Sequence, residues 1–311
     1  MIKNRWVVKI KQLSGCLLFS LFPLAAWAAT YSLPVSEHTL IGNVQYTKSR
    51  YNDSIAVLAQ HYDVGLNALI DANPSLDPAR RLSSGIELTI PTRHILPAER
   101  SGIVVNLPEM RIYYFPADSD SVMTYPIGVG KMGKSIPITR TAIVRKVTDP
   151  TWTPGEDARA FNLEQGIDLP KVMPPGPDNP LGHYAIYLQI PTYLIHSTIF
   201  PDSVGKRASF GCIRMHETDV KELYALVNRG MPVYIVNAPV KTGWDGDHLY
   251  LEAHPSLEEF PTSTSSLAGM VSLVKNAAQQ QPNVLVDWQM VSFLYEERDG
   301  MPHEVAMKLE G

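Results

Sequence analysis

Paired cysteines are missing from this sequence. Its 311 residues hold only Cys16 and Cys212. The first lies in a segment expected to be removed, so disulfides cannot staple the fold. A long apolar run is missing too. The N-terminal one, residues 16–24, falls short of the ~20 residues of a spanning helix and contains Pro23. There is no basic stripe, and the net charge of −4 argues against a nucleic-acid partner. Metal-ligand spacing is also lacking: His216-Glu217-Thr218-Asp219 has no second histidine one helical turn on. No constellation for a metal or other cofactor is expected.

What is present fits a soluble globular chain long enough for two or three domains. The 25 prolines favour loops and edge strands over a helical bundle. Residues 1–28 read as a signal peptide cleaved after Ala28. Lys3, Arg5, Lys9 and Lys11 form a basic start, and Ala26-Trp27-Ala28 is a small-x-small cleavage site. Leu13-Ser14-Gly15-Cys16 has the outline of a lipoprotein box, but the apolar run follows that cysteine instead of preceding it. Membrane contact is expected only through the signal peptide. Its removal leaves 23 basic against 31 acidic side chains, about −8. The exported chain then keeps one cysteine, Cys212. An unpaired exported thiol suggests a reactive role, with a buried structural thiol as the alternative.

Four further regions follow. Residues 29–43 read as a short leader. Residues 44–92 read as a small βααβ module, with a helix capped by Asp53 or Ser54, a second helix stopped at Asn73-Pro74, and a closing strand over residues 86–90. Residues 100–237 read as a β-sandwich or barrel-like domain. Its strands fall at 103–107, 110–115, 125–129, 138–147, 184–189, 194–195 and 232–236, and one amphipathic helix falls at 217–227. Arg140, Arg145 and Lys146 are expected to face water. A long irregular excursion at 149–180 reads as a flap over the site. Residues 238–311 read as a polar tail, with a strand at 249–253 and weak helix at 264–279, and no assignable role.

The chemistry centres on residues 196–214, His-Ser-Thr-Ile-Phe-Pro-Asp-Ser-Val-Gly-Lys-Arg-Ala-Ser-Phe-Gly-Cys-Ile-Arg. A thiol nucleophile needs a base to take its proton and donors to hold an oxyanion. Cys212, His196 and the amides around Gly211 can supply all three. Trp152 and Tyr187 are candidates to line the cleft or to be core. His183 reads as surface or packing. His216 and Asp219 stand at a helix start, where Asp219 suits the positive dipole end.

Ser209-Phe210-Gly211-Cys212-Ile213-Arg214, with His196 upstream, resembles the Ser-His-Gly-Cys-x-Arg signature of the L,D-transpeptidase (YkuD-type) catalytic domain. Asn52-Asp53-Ser54-Ile55, Tyr62-x-Val64, Leu69 and Asn73-Pro74 resemble the LysM module. Together these imply a periplasmic cysteine acyltransferase acting on peptidoglycan, bound through its tetrapeptide stems and, via LysM, its glycan. In that family Cys212 would be the nucleophile and His196 its base, oriented by the Ser197 backbone carbonyl. The Gly211 and Cys212 amides would hold the oxyanion, and Arg214, Ser209, Phe210, Tyr187 and Trp152 would contact substrate. The resemblance is nearest to the Gram-negative lipoprotein-anchoring subgroup, and it leaves the acceptor amine open among another stem, giving a 3–3 cross-link, a lysine of an outer-membrane lipoprotein, and a free D-amino acid. Phe210 departs from the signature histidine and can exchange no proton. The alternatives are a carboxypeptidase or hydrolase using water, and a non-catalytic wall-binding protein.

Overall fold

A computed structural model describes residues 29–34 and 38–309. The expected signal peptide, Cys16 and the lipoprotein-box outline lie outside the described residues. No helix among the described residues is long and apolar enough to cross a membrane.

The N-terminal part holds β1 (Ala29–Ser32), β2 (Leu40–Ile41), β3 (Gln45–Lys48), α1 (Ile55–His61), α2 (Leu66–Asp71), β4 (Glu87–Ile90) and β5 (His94–Ile95). The βααβ pattern forms: β3 pairs antiparallel with β4, and Ser54 caps α1 by accepting from the Val57 amide. Ile55, Leu58, Leu69, Leu88 and Ile90 close its core. Asn73 does more than end a helix. Its buried side chain donates to the Leu69 and Thr89 carbonyls and accepts from the Thr89 amide, tying α2 to β4. Residues 29–32 are not a free leader; β1 pairs with strand 121–126 at the edge of the main sheet.

The central part holds β6 (Gly102–Asn106), β7 (Arg111–Phe115), β8 (Ser121–Pro126), β9 (Val129–Gly130), β10 (Thr139–Thr148), α3 (Glu156–Glu164), β11 (Tyr184–Leu188), β12 (Leu194–Ser197), β13 (Arg207–Ser209), β14 (Ile213–Met215), α4 (Glu217–Leu226) and β15 (Pro232–Val236). One mixed nine-stranded sheet runs β1-β8-β7-β6-β15-β10-β11-β12-β14, so the domain is mainly β, as expected. Side chains alternate across a strand. On β6, Ile103 and Val105 enter the main core, while Val104 enters a second core with Tyr113, Phe115 and Val122. Burial on both faces explains why residues 103–105 read as continuous apolar sequence. Each such side chain contributes roughly 1.5–3 kcal/mol. Helix α4 buries Val220 and Leu223 in the main core.

Three expectations need correcting here. The strand placed at 125–129 begins at Ser121 and breaks before β9. Lys146 does not face water. Its Nζ donates to the Tyr224 and Val227 carbonyls, each at 2.6 Å, capping the end of α4 with a cation where the helix dipole is negative. The 149–180 excursion is not wholly irregular, since it carries α3.

The tail is a folded unit. Strands β16 (Val240–Asp245), β17 (His248–Ala253), β18 (Val284–Val286) and β19 (Pro302–Lys308) form a sheet ordered β16-β17-β19-β18, covered by α5 (Leu267–Ala278) and α6 (Trp288–Glu297). Its apolar residues sit at helical spacing inside a polar background, which masked the core. Buried Lys241 joins it to the rest of the chain. Its Nζ reaches Glu252 (2.7 Å), Glu109 (2.9 Å) and the Ile95 carbonyl (2.6 Å).

Candidate active site

Strands β12 and β14 run side by side and parallel, pairing Ile195 with Ile213 and His196 with Arg214. This register brings the histidine strand to the cysteine turn across 16 residues of chain. Ile195 and Ile213 are fully buried in the main core and hold the pair rigid.

His196 is buried, and its Nδ1 is 2.5 Å from the Ser197 carbonyl oxygen. A carbonyl can only accept, so Nδ1 carries the proton and Nε2 is the basic nitrogen. Burial, then the Arg214 charge, pushes its pKa down to about 4. The ring is therefore neutral at pH 7. Ser197 Oγ accepts from the Tyr184 amide and donates to the Leu181 carbonyl, fixing the backbone that orients the ring.

Cys212 is half-buried, and its thiol is 3.6 Å from the Thr192 carbonyl. Burial pushes the thiol above its ordinary pKa, opposed by a Leu194 backbone contact and by Arg214. A raised thiol and a depressed imidazole do not form an ion pair at rest.

The turn before the thiol is clamped by Ser209. Its buried Oγ donates to the Cys212 carbonyl (2.5 Å) and accepts from the Gly211 amide (3.1 Å). Two expected roles change. Ser209 faces the turn rather than a substrate, and the Gly211 amide is engaged with it rather than open to an oxyanion. Gly211 earns its place by conformation, with φ +117°. A Cβ there would come within 2.8 Å of Tyr193 Cε1 and 3.0 Å of the Lys134 carbonyl.

Trp152, Tyr187 and Cys212 each pack against the same small cluster of Leu181, Ala185 and Leu194. The Arg145 guanidinium covers the outer face of Tyr187 at 3.8 Å. Arg214 is half-buried, its guanidinium 5.8 Å from the Phe200 ring centroid, and its buried Nε has no hydrogen-bond partner among the described residues. His183 is exposed and bonded to Asp149, as its surface reading expects. His216 is buried at the N-cap of α4, and burial lowers its pKa to about 4. Phe210 points at α3, with its ring 5.5 Å from that of Phe161.

Sequence reasoning missed Thr192, Tyr193, Lys131 and Asn179. Only Pro191 hinted at the turn that places the first two. Asn179 is almost fully buried and donates to the Pro150 and Pro174 carbonyls, pinning the base of the 149–180 segment. Among the described residues, one group has metal-ligand proximity: His94, Glu109 and Glu252. Lys241 already neutralises its two carboxylates from within.

Residues 100–235 match the L,D-transpeptidase catalytic domain, YkuD. The chain is 37% identical over 291 residues to Probable L,D-transpeptidase YcfS of Escherichia coli (strain K12), covering 91% of this chain and 90% of that protein. It is 42% identical over 236 residues to Probable L,D-transpeptidase ErfK/SrfK of the same strain, covering 74% and 75%. The ErfK/SrfK protein of Salmonella typhimurium is 35% identical, covering 93% and 94%. With such identity along nearly the whole of both chains, this chain belongs to the L,D-transpeptidase family and is an L,D-transpeptidase.

Proposed function

We propose that the chain works in the periplasm and transfers the acyl group of a peptidoglycan tetrapeptide stem through Cys212. The observation that carries this reading is the fixed His196 ring, held by Nδ1 on the Ser197 carbonyl beside the cysteine strand. The thiol leaves the Thr192 carbonyl and gives its proton to His196 Nε2 as sulfur attacks the carbonyl of the third stem residue. The developing oxyanion is met by the amide of Cys212 itself, with the neighbouring Gly211 amide held on Ser209. His196 then protonates the departing D-alanine amine, leaving a thioester. An acceptor amine attacks the thioester, His196 takes its proton, and the thiol is restored.

Arg214 is well suited to a stem carboxylate, because its planar fork is half-buried with a buried Nε that has no partner among the described residues. Trp152 and Tyr187 wall the cleft, and residues 149–180 act as its flap. The βααβ unit serves as a LysM-like glycan-binding module. The acceptor is an amine: a second stem, giving a 3–3 cross-link, or a lysine of an outer-membrane lipoprotein. Incubation with disaccharide-tetrapeptide alone, then with a lysine-ended peptide added, separates the readings. Stem dimers support cross-linking, and a stem joined to the lysine supports anchoring. Released D-alanine with neither product would point to water as acceptor and contradict both.

A further inference from the structure

Helix α3 meets the catalytic turn at one small cluster. Lys131 Nζ lies 3.6 Å from the Phe161 ring centroid and 4.8 Å from that of Phe210, and the two rings meet edge to face. Lys131 is bonded to the turn itself, its amide donating to the Ser209 carbonyl at 2.9 Å. One turn of α3 earlier, Asp157 pairs with Lys134 at 2.6 Å, and the Lys134 carbonyl lies against Gly211. The base of the same segment is fastened separately, by paired backbone bonds between Trp152 and Met173 and by Asn179. The segment thus has a fixed root and a tip held by side chains.

We propose that Phe210 is a positioning residue that latches α3 over Cys212, through Phe161 and Lys131. It touches no reacting atom. An ammonium is drawn to the face of an aromatic ring, and two rings prefer the edge-to-face arrangement seen here. An aromatic side chain at position 210 serves both contacts, which an aliphatic one cannot. The exposed Lys134–Asp157 pair adds little on its own. The latch keeps the cleft closed around a seated stem and slows reagents that reach the thiol from solvent. This inference rests on the proposed acyl-transfer reading, but its test does not.

The test measures the iodoacetamide alkylation rate of Cys212 in the full chain, and KM and kcat on tetrapeptide. Phe161→Ala, Phe210→Leu and the double variant are compared. Phe161 is 40% exposed, so its loss leaves the core intact. Each single variant is expected to speed alkylation by about tenfold, and the double by no more than that, because either loss opens the same latch. KM should rise with kcat little changed. Phe210→Trp should retain the wild-type rate, and so should Leu163→Ala on the exposed side of α3. Unchanged alkylation in Phe161→Ala, or effects that multiply in the double variant, would overturn the latch. Alkylation needs no turnover, so the latch can be judged even if tetrapeptide turnover fails.

Discussion

The thiol of Cys212 donates to the carbonyl of Thr192 at 3.6 Å, and Thr192 holds a left-handed backbone with φ +72°. A β-branched residue in that region is strained by roughly 1–3 kcal/mol. The strain aims a carbonyl at the nucleophile, while the next residue, Tyr193, packs over Gly211. Asparagine tolerates this backbone better. Thr192→Asn is expected to stabilise the chain by about 1 kcal/mol, raising Tm by a few degrees in a thermal melt. A fall in Tm would show that the threonine side chain is needed there.

The resting site holds a thiol and a neutral imidazole rather than a thiolate–imidazolium pair. His196 has a pKa near 4, and the Cys212 thiol lies above its ordinary value. The thiolate fraction should therefore keep rising with pH across 6 to 9. Alkylation rates of the wild type should climb through that range with no plateau, and His196→Gln should follow the same curve. Turnover should lose activity only as pH drops far enough to protonate His196, below about 5. An alkylation plateau between pH 5 and 7 that His196→Gln removes would contradict this.

Gly211→Ala meets two obstacles at once. Its φ of +117° disfavours any side chain, and a Cβ would press on Tyr193 and the Lys134 carbonyl. The expected cost is about 2 kcal/mol or more of stability. Activity should fall with the displaced Cys212. Denaturant melts together with tetrapeptide turnover check both.

A second pH-dependent element lies away from the thiol. Asp63, after α1, and Asp219, in the first turn of α4, are electrostatically coupled, and each keeps one buried carboxyl oxygen with no hydrogen-bond partner among the described residues. Burial raises both, Asp63 to about 6. A raised folded pKa means that the folded chain keeps a proton the unfolded chain releases. Stability is thus greatest below about pH 4 for this pair and declines as pH rises through about 6. Asp63→Asn removes one charge and supplies a donor. It should match the wild type near pH 4 and exceed it at pH 7.5 by an amount on the order of 1–3 kcal/mol in urea unfolding. Equal stability at both pH values would contradict the raised pair.

The candidate pair was legible because both residues sit in one short stretch. A cysteine in a Ser-Phe-Gly-Cys turn and a histidine 16 residues before it define the candidate pair, and the β12–β14 register sets the histidine strand beside the strand that directly follows Cys212. Trp152 and Tyr187 were legible only as cleft-or-core, because an aromatic residue carries the same signature in either place. Ser209 and the Gly211 amide were misread, since a serine before a turn can bond to substrate or to its own backbone, and only coordinates separate the two. Thr192 was invisible, as no residue type announces a strained threonine. Lys146 looked solvated because capping the end of α4 depends on a contact 78 residues away. The C-terminal unit was missed because its core is assembled from short apolar groups on two helices and four strands, none of them prominent alone.

The central claim is that Cys212 carries the acyl group. Its most direct test is intact-protein mass spectrometry of residues 29–311 incubated with disaccharide-tetrapeptide, with Cys212→Ala alongside. The account predicts a wild-type adduct equal to the stem less its terminal D-alanine, mapped to Cys212 and labile to hydroxylamine, with none on Cys212→Ala. No adduct on the wild type, with D-alanine still released, or an equal adduct on Cys212→Ala, would contradict it.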